Sequence, residues 1–301
     1  MLIRIVSILF PLFAIATLGF FVGRHMKPDL THANKLNMDV FVPALLFGAL
    51  ASKSFQVTTY LPLALATLLL VVGSGAAGWI AARIMKTDAR TLVPPMMFNN
   101  CGNLGLPLAV LAFGEDALAP AVVMMMVSNL LHFSFGAWLL DRNIRLRNIW
   151  QIPSVWATLL GLAISVLEIE IWSPLMLSIR MLGDIAIPLM LFGLGVRLTD
   201  SRISEFRIGL IGAALRPLSG MLLASLLLLL IDLPDRQRAL LLVFGALTPA
   251  VLNYIFAERY RQEPEKVASV VLIGNIASLL FLSVALAVVL PEMSHATGGP
   301  R

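Results

Sequence analysis

The sequence predicts an all-α integral membrane protein of ten membrane-spanning helices, arranged as two inverted five-helix repeats. Three observations carry this. Hydrophobic residues make up 59% of the chain and charged residues only 13%, about half the charged share of a soluble domain. The basic residues behind the net charge of +5 are scattered over short loops, which speaks for a membrane and against nucleic acid. Similar stretches also recur at a separation of 145 to 146 residues.

Hydropathy places the spans at 5–23, 36–51, 60–83, 91–113, 117–140, 153–169, 174–196, 207–231, 237–257 and 267–290. The first follows Arg4, and Ala14-Ile15-Ala16 offers a small-x-small pattern. The apolar run nevertheless continues to Val22, too long for the apolar core of a leader, so a first membrane helix is expected. The connections are short, which leaves no soluble domain for enzymatic chemistry. The single cysteine, Cys101, excludes an intramolecular disulfide, and no metal-ligand spacing or cofactor motif is present.

Lysine and arginine set the orientation. The odd-numbered loops carry Arg24, Lys27 and Lys35, then Arg83, Lys86 and Arg90, then Arg142, Arg145 and Arg147. Arg197, Arg202 and Arg207, and then Arg259, Arg261 and Lys266, complete them. The termini and even-numbered loops hold only Arg4, Lys53, Arg180, Arg236, Arg238 and Arg301. The positive-inside rule makes the odd loops cytoplasmic, with both termini outside.

Two halves of five spans each, 1–148 and 149–301, are then inverted copies. The stretch Asp39–Gly48 in the second span matches Asp184–Gly193 in the seventh, at an offset of 145. An offset of 146 pairs Arg90 with Arg236, Phe98 with Phe244 and Asn129 with Asn275. The fourth span carries Phe98-Asn99-Asn100-Cys101-Gly102-Asn103-Leu104-Gly105-Leu106-Pro107-Leu108 at its centre. Asparagines are costly in hydrocarbon, and Gly and Pro interrupt helices. A helix broken at mid-depth is expected, as in transporter sites, with a Pro-kinked helix lacking a ligand as the alternative. Its partner, the ninth span, is expected to break at Leu247-Thr248-Pro249. Thr248 would cap a new half-helix and Pro249 would fill its first position.

With these residues in view, Asn100–Ala109 and Thr248–Tyr260 resemble the auxin efflux carrier family of permeases, over the whole chain. The resemblance implies a fold similar to the bile acid/sodium symporters. There, spans 1, 2, 6 and 7 form a scaffold, spans 3–5 and 8–10 form a transport domain, and spans 4 and 9 cross at their breaks. It implies that Asn100 binds a substrate carboxylate. Asn253 stands where plant members carry proline. This departure, with the lack of a long central loop, points to the bacterial branch and to mono- or dicarboxylates such as malate or malonate, with auxin-like acids as the other substrates the resemblance implies. The function so implied is secondary transport of small organic anions across the cytoplasmic membrane by elevator-type movement. Sodium-coupled symport and a sensor or structural protein on a carrier fold are the alternatives. The expected partners are the anion and the bilayer, with a homodimer left open.

The residues themselves suit such a site. Half-helix N-termini present unpaired N–H groups and partial positive charge. Asn100, Asn103 and Asn253 can add donors beside Cys101, Thr248 and Pro249. Gly102 and Gly105 let a ligand approach the backbone, and Pro107 follows in the same motif. Asn129 and Asn275 either face the crossing or hydrogen-bond between helices. Arg216 is expected to pair with an acid, or else to serve as a counter-charge. Asp39 and Asp184 are either coupling carboxylates or acids near a span's start. His132 is a titrating group or, preferably, a packed one.

Overall fold

The computed structural model describes residues 1–51, 57–142, 150–200 and 203–296, and these residues form helices with no strand beyond one isolated bridge. The helices are α1 (Leu2–Met26), α2 (31–50), α3 (Val57–Met85), α4 (Ala89–Met97), α5 (Cys101–Phe113) and α6 (Glu115–Leu140). After them come α7 (Pro153–Val166), α8 (Ser173–Thr199), α9 (Phe206–Leu227), α10 (Asp235–Ala246), α11 (Val251–Arg259) and α12 (Pro264–Ala296). Six of them, α1, α3, α6, α8, α9 and α12, are long and apolar enough to cross a membrane. Helices overlie every predicted span, with α4 and α5 sharing the fourth and α10 and α11 the ninth. Lys53, Arg145, Arg147, Arg202 and Arg301, and the boundary expected at 148, lie outside the described residues.

Local chemistry sets the ends. α1 stops at Lys27, in the left-handed region with φ of 45°, and Pro28 cannot extend it. α4 starts where the Asp88 carboxylate accepts the Arg90 amide at 2.8 Å. Trp79 and Trp138 lie near the ends of α3 and α6, under Arg83 at 4.8 Å and Arg142 at 3.6 Å. Aromatic rings beneath basic residues suit a membrane–water boundary. Phe10, Leu61, Leu222 and Leu280, among many other large apolar side chains, are exposed on the outer surface, as contact with lipid requires.

Small residues let the helices approach closely, since burial from water does not drive association between helices in lipid. In α1 and α8, a Cβ on Gly19 would lie 2.2 Å from the Phe192 carbonyl oxygen, and one on Gly195 would lie 1.8 Å from that of Ala16. Gly183 of α8 sits against the Leu45 backbone of α2, and Gly161 of α7 against Leu50 and Phe47 of α2. A second set of close contacts joins Gly78 of α3 to Met96 of α4 and Gly212 of α9 to Val270 of α12. Gly220 of α9 and Gly245 of α10 meet backbone to backbone.

Candidate functional site at the helix crossing

The two interrupted helices meet at their breaks. Phe98 and Leu247 leave the helical region for extended backbone, and Asn99 pairs with Pro249 in an antiparallel bridge. The bonds flanking that pair are Asn100 N–H to the Thr248 carbonyl at 2.8 Å and Ala250 N–H to the Phe98 carbonyl at 3.0 Å. Asn99 and Pro249 therefore occupy the position that needs no amide hydrogen, the one a proline can fill. This pairing also moves a predicted boundary. Thr248 and Pro249 are held in the bridge, so the second half-helix begins at Val251 with Ala250 as its cap, rather than at Thr248-Pro249.

Breaking a helix bares carbonyls that no water can reach, and asparagines cover them. Asn99 Nδ2 donates to the Phe244 carbonyl at 2.7 Å. Asn253 Nδ2 donates to the Phe98 carbonyl at 2.9 Å and the Ala250 carbonyl at 3.0 Å. Each broken helix thus lends an amide to the other, and the covered carbonyls belong to the phenylalanines that the repeat offset pairs. The expectation that Asn253 offers a free donor is corrected, because both of its amide hydrogens are engaged. Asn99 was not among the expected site residues. Its signal was its place beside a phenylalanine that recurs at the partner break.

Asn100 is 2% exposed and donates through Nδ2 to Asn275 Oδ1 at 3.0 Å. Asn275 reaches on to the Pro249 carbonyl at 3.3 Å and the Val271 carbonyl at 2.8 Å. The pair ties α12 to both breaks. Asn129, the residue matched to Asn275, is half-buried and its side chain makes no hydrogen bond among the described residues, so the two do not act alike. Asn103 is likewise half-buried with its amide unpaired among the described residues, in the first turn of α5.

The first residues of α5, Cys101, Gly102 and Asn103, have no preceding helical turn to accept their N–H groups. Cys101 is buried, whereas Gly102 and Asn103 are partly open. A Cβ on Gly102 would meet nothing nearer than Met125 Sδ at 3.7 Å. The approach expected at Gly105 is filled by Leu247 Cδ1, 2.9 Å from where its Cβ would stand. Pro107 is buried in the first regular turn that follows. Thr248 Oγ1 is buried without a partner among the described residues.

The remaining candidates separate. The His132 ring stacks on Phe98 with centroids 4.1 Å apart and meets the edge of Phe256 at 5.1 Å, so it packs the crossing. Arg216 is fully buried in α9 and donates through Nη1 to the Gly245 carbonyl at 3.0 Å, at the end of α10. No carboxylate pairs with it among the described residues, which corrects the expected ion pair. A carbonyl at a helix C-terminus carries the partial negative charge that holds it. Asp39 lies in the first turn of the segment Asn37–Phe41 within α2, and Asp184 ends the segment Ser173–Asp184 within α8, two residues before the regular helix resumes at Ala186. Both are exposed, and neither bonds to another described residue.

A family model described as membrane transport protein matches residues 4–144 and 138–286. No curated protein matches the chain. A crossing of two broken helices, inside an all-helical chain with membrane-length apolar helices, is thus carried by a sequence matched along nearly its whole length, and the chain belongs to the membrane transport protein family of the auxin efflux carriers.

Proposed function

We propose that the protein is a secondary transporter of small organic anions, mono- or dicarboxylates such as malonate, in the cytoplasmic membrane. Ten spans form two inverted repeats with both termini outside. The anion binds at the crossing. The body of spans 3–5 and 8–10 carries it past a scaffold of spans 1, 2, 6 and 7. The reading of the scaffold is supported by the glycine contacts that draw α1, α2, α7 and α8 together.

One observation carries the anion site. At the breaks the bared carbonyls are covered by Asn99 and Asn253, while the N-terminus of α5 keeps its N–H groups open beside the unpaired amide of Asn103. A half-buried cluster of donors, beside backbone carbonyls that are covered, favours an anion, and the helix dipole adds to it. Asn103→Asp is the test. An acid in the first turn suits the helix, so the variant should fold with unchanged Tm. The same charge stands where the anion sits, so thermal stabilisation by malonate in detergent should vanish. Retained stabilisation of Asn103→Asp, or a wild type that no carboxylate stabilises, refutes the site.

A further inference from the structure

Arg216 has more donors than the fold uses. Its side chain is completely buried, and only Nη1 has a partner, while Nε and Nη2 have none among the described residues. Such a group is expensive to hold, since a buried cation keeps its desolvation penalty unless opposite charge or hydrogen bonds answer it. A single carbonyl does not answer it in full. If covering that carbonyl were its whole task, an asparagine would suffice, as Asn99 does at the very next carbonyl.

Its place explains the expense. The Gly245 carbonyl that anchors it is three residues before Thr248, whose own carbonyl accepts the Asn100 amide. Gly220, on the next turn of α9, presses on Gly245 and on Nη1 and holds the head at the end of α10. The guanidinium therefore stands behind the crossing, with no hydrogen bond to Gly102 or Asn103 and no charged partner among the described residues.

Resting on the anion site at the crossing, we propose that Arg216 is the charge-selecting residue of that site, acting on the ligand through its field rather than by contact. A unit charge on the order of 10 Å away, through an effective dielectric of about 20, changes affinity roughly tenfold for each charge on the ligand. A dianion gains the square of what a monoanion gains. The site then ranks ligands of one shape by their charge.

The experiment compares malonate with monomethyl malonate, nearly the same shape with one charge removed, at mildly alkaline pH where malonate is fully ionised. Binding to the detergent-purified chain is read by thermal shift and by calorimetry, in wild type, Arg216→Gln and Arg216→Lys. The wild type should bind malonate about tenfold tighter than the monoester. Arg216→Gln should weaken the monoester about tenfold and malonate about a hundredfold, and Arg216→Lys should restore the ratio. Loss of both ligands by the same factor in Arg216→Gln overturns the proposal and leaves the anion site standing. Equal affinity of the wild type for both ligands overturns it too, and needs no variant to fold. Binding of neither ligand to the wild type overturns the anion site as well.

Discussion

Asn253→Ala separates covering the break from binding the ligand. The side chain is 1% exposed, and its Nδ2 donates at 2.9 Å to Phe98 and at 3.0 Å to Ala250. No amide hydrogen remains for a ligand, and Oδ1, unpaired among the described residues, would repel a carboxylate. Truncation removes both bonds. The Phe98 carbonyl keeps the Ala250 N–H at 3.0 Å, and the Ala250 carbonyl keeps the Asn253 N–H at 3.1 Å, so neither is left bare. The cost is then that of two ordinary hydrogen bonds, about 1–3 kcal/mol in all. For a chain of this size that lowers Tm by several degrees. Malonate affinity, measured by calorimetry well below both unfolding transitions, should stay within about threefold of wild type, because less than ~0.7 kcal/mol of direct contact is at stake. A variant with wild-type Tm that has lost malonate binding by tenfold or more would refute the reasoning and return Asn253 to the ligand.

Other outcomes follow from neighbouring contacts. A Cβ on Gly245 would stand 2.5 Å from the Gly220 carbonyl oxygen, a backbone atom that cannot turn aside, so Gly245→Ala should cost about 1–3 kcal/mol or more. Gly102→Ala, with nothing nearer than 3.7 Å, should fold normally, and Tm measured on the two variants checks the contrast. Asn100→Ala removes the bond to Asn275 Oδ1 and leaves that buried oxygen without its donor, which should lower Tm by the equivalent of about 1–3 kcal/mol. Glu263 is held below the ordinary glutamate range, first by the Lys266 ammonium donating to it and then by the Thr91 hydroxyl, which ties the start of α4 to the turn after α11. Its folded value is depressed, so the increment is full above the ordinary range and is lost as pH falls through the lowered value. Wild type should therefore lose more Tm than Glu263→Gln over that acidic window, and parallel profiles would dismiss the contact.

The breaks were legible because their residue types have few other uses in hydrocarbon. Three asparagines, two glycines and a proline within nine residues of an apolar span leave little but an interrupted helix. The offset then located the partner break, where Leu247-Thr248-Pro249 alone would be ambiguous. What stayed hidden was the direction of each side chain. Asn99 and Asn100 are neighbours of one type, yet one covers the Phe244 carbonyl and the other meets Asn275. Which does which depends on an extended backbone that alternates its side chains, and that backbone exists only because a second chain segment pairs with it. Thr248 failed as a cap for the same reason, since its backbone was already taken by the bridge.

Arg216 marks the other limit. A lone arginine in an apolar span calls for a partner, and a carboxylate is the obvious one to expect. A backbone carbonyl freed by a break 29 residues away leaves no trace in residue type. The matched pair Asn129 and Asn275 makes the point from the opposite side. Sequence symmetry gives both the same residue, but among the described residues only Asn275 reaches a carbonyl at a break, that of Pro249. The asymmetry has a physical use. An amide engaged by the bridge fixes the crossing, while an unpaired one on the facing helix stays available, so the same residue type can hold the break in one half and meet a ligand in the other. On that division, Asn275→Ala lowers Tm with little loss of malonate affinity in the folded protein, and Asn129→Ala does the reverse. Equal effects of the two on Tm would mean that the repeats contribute alike, and that the unpaired amide of Asn129 carries no functional meaning.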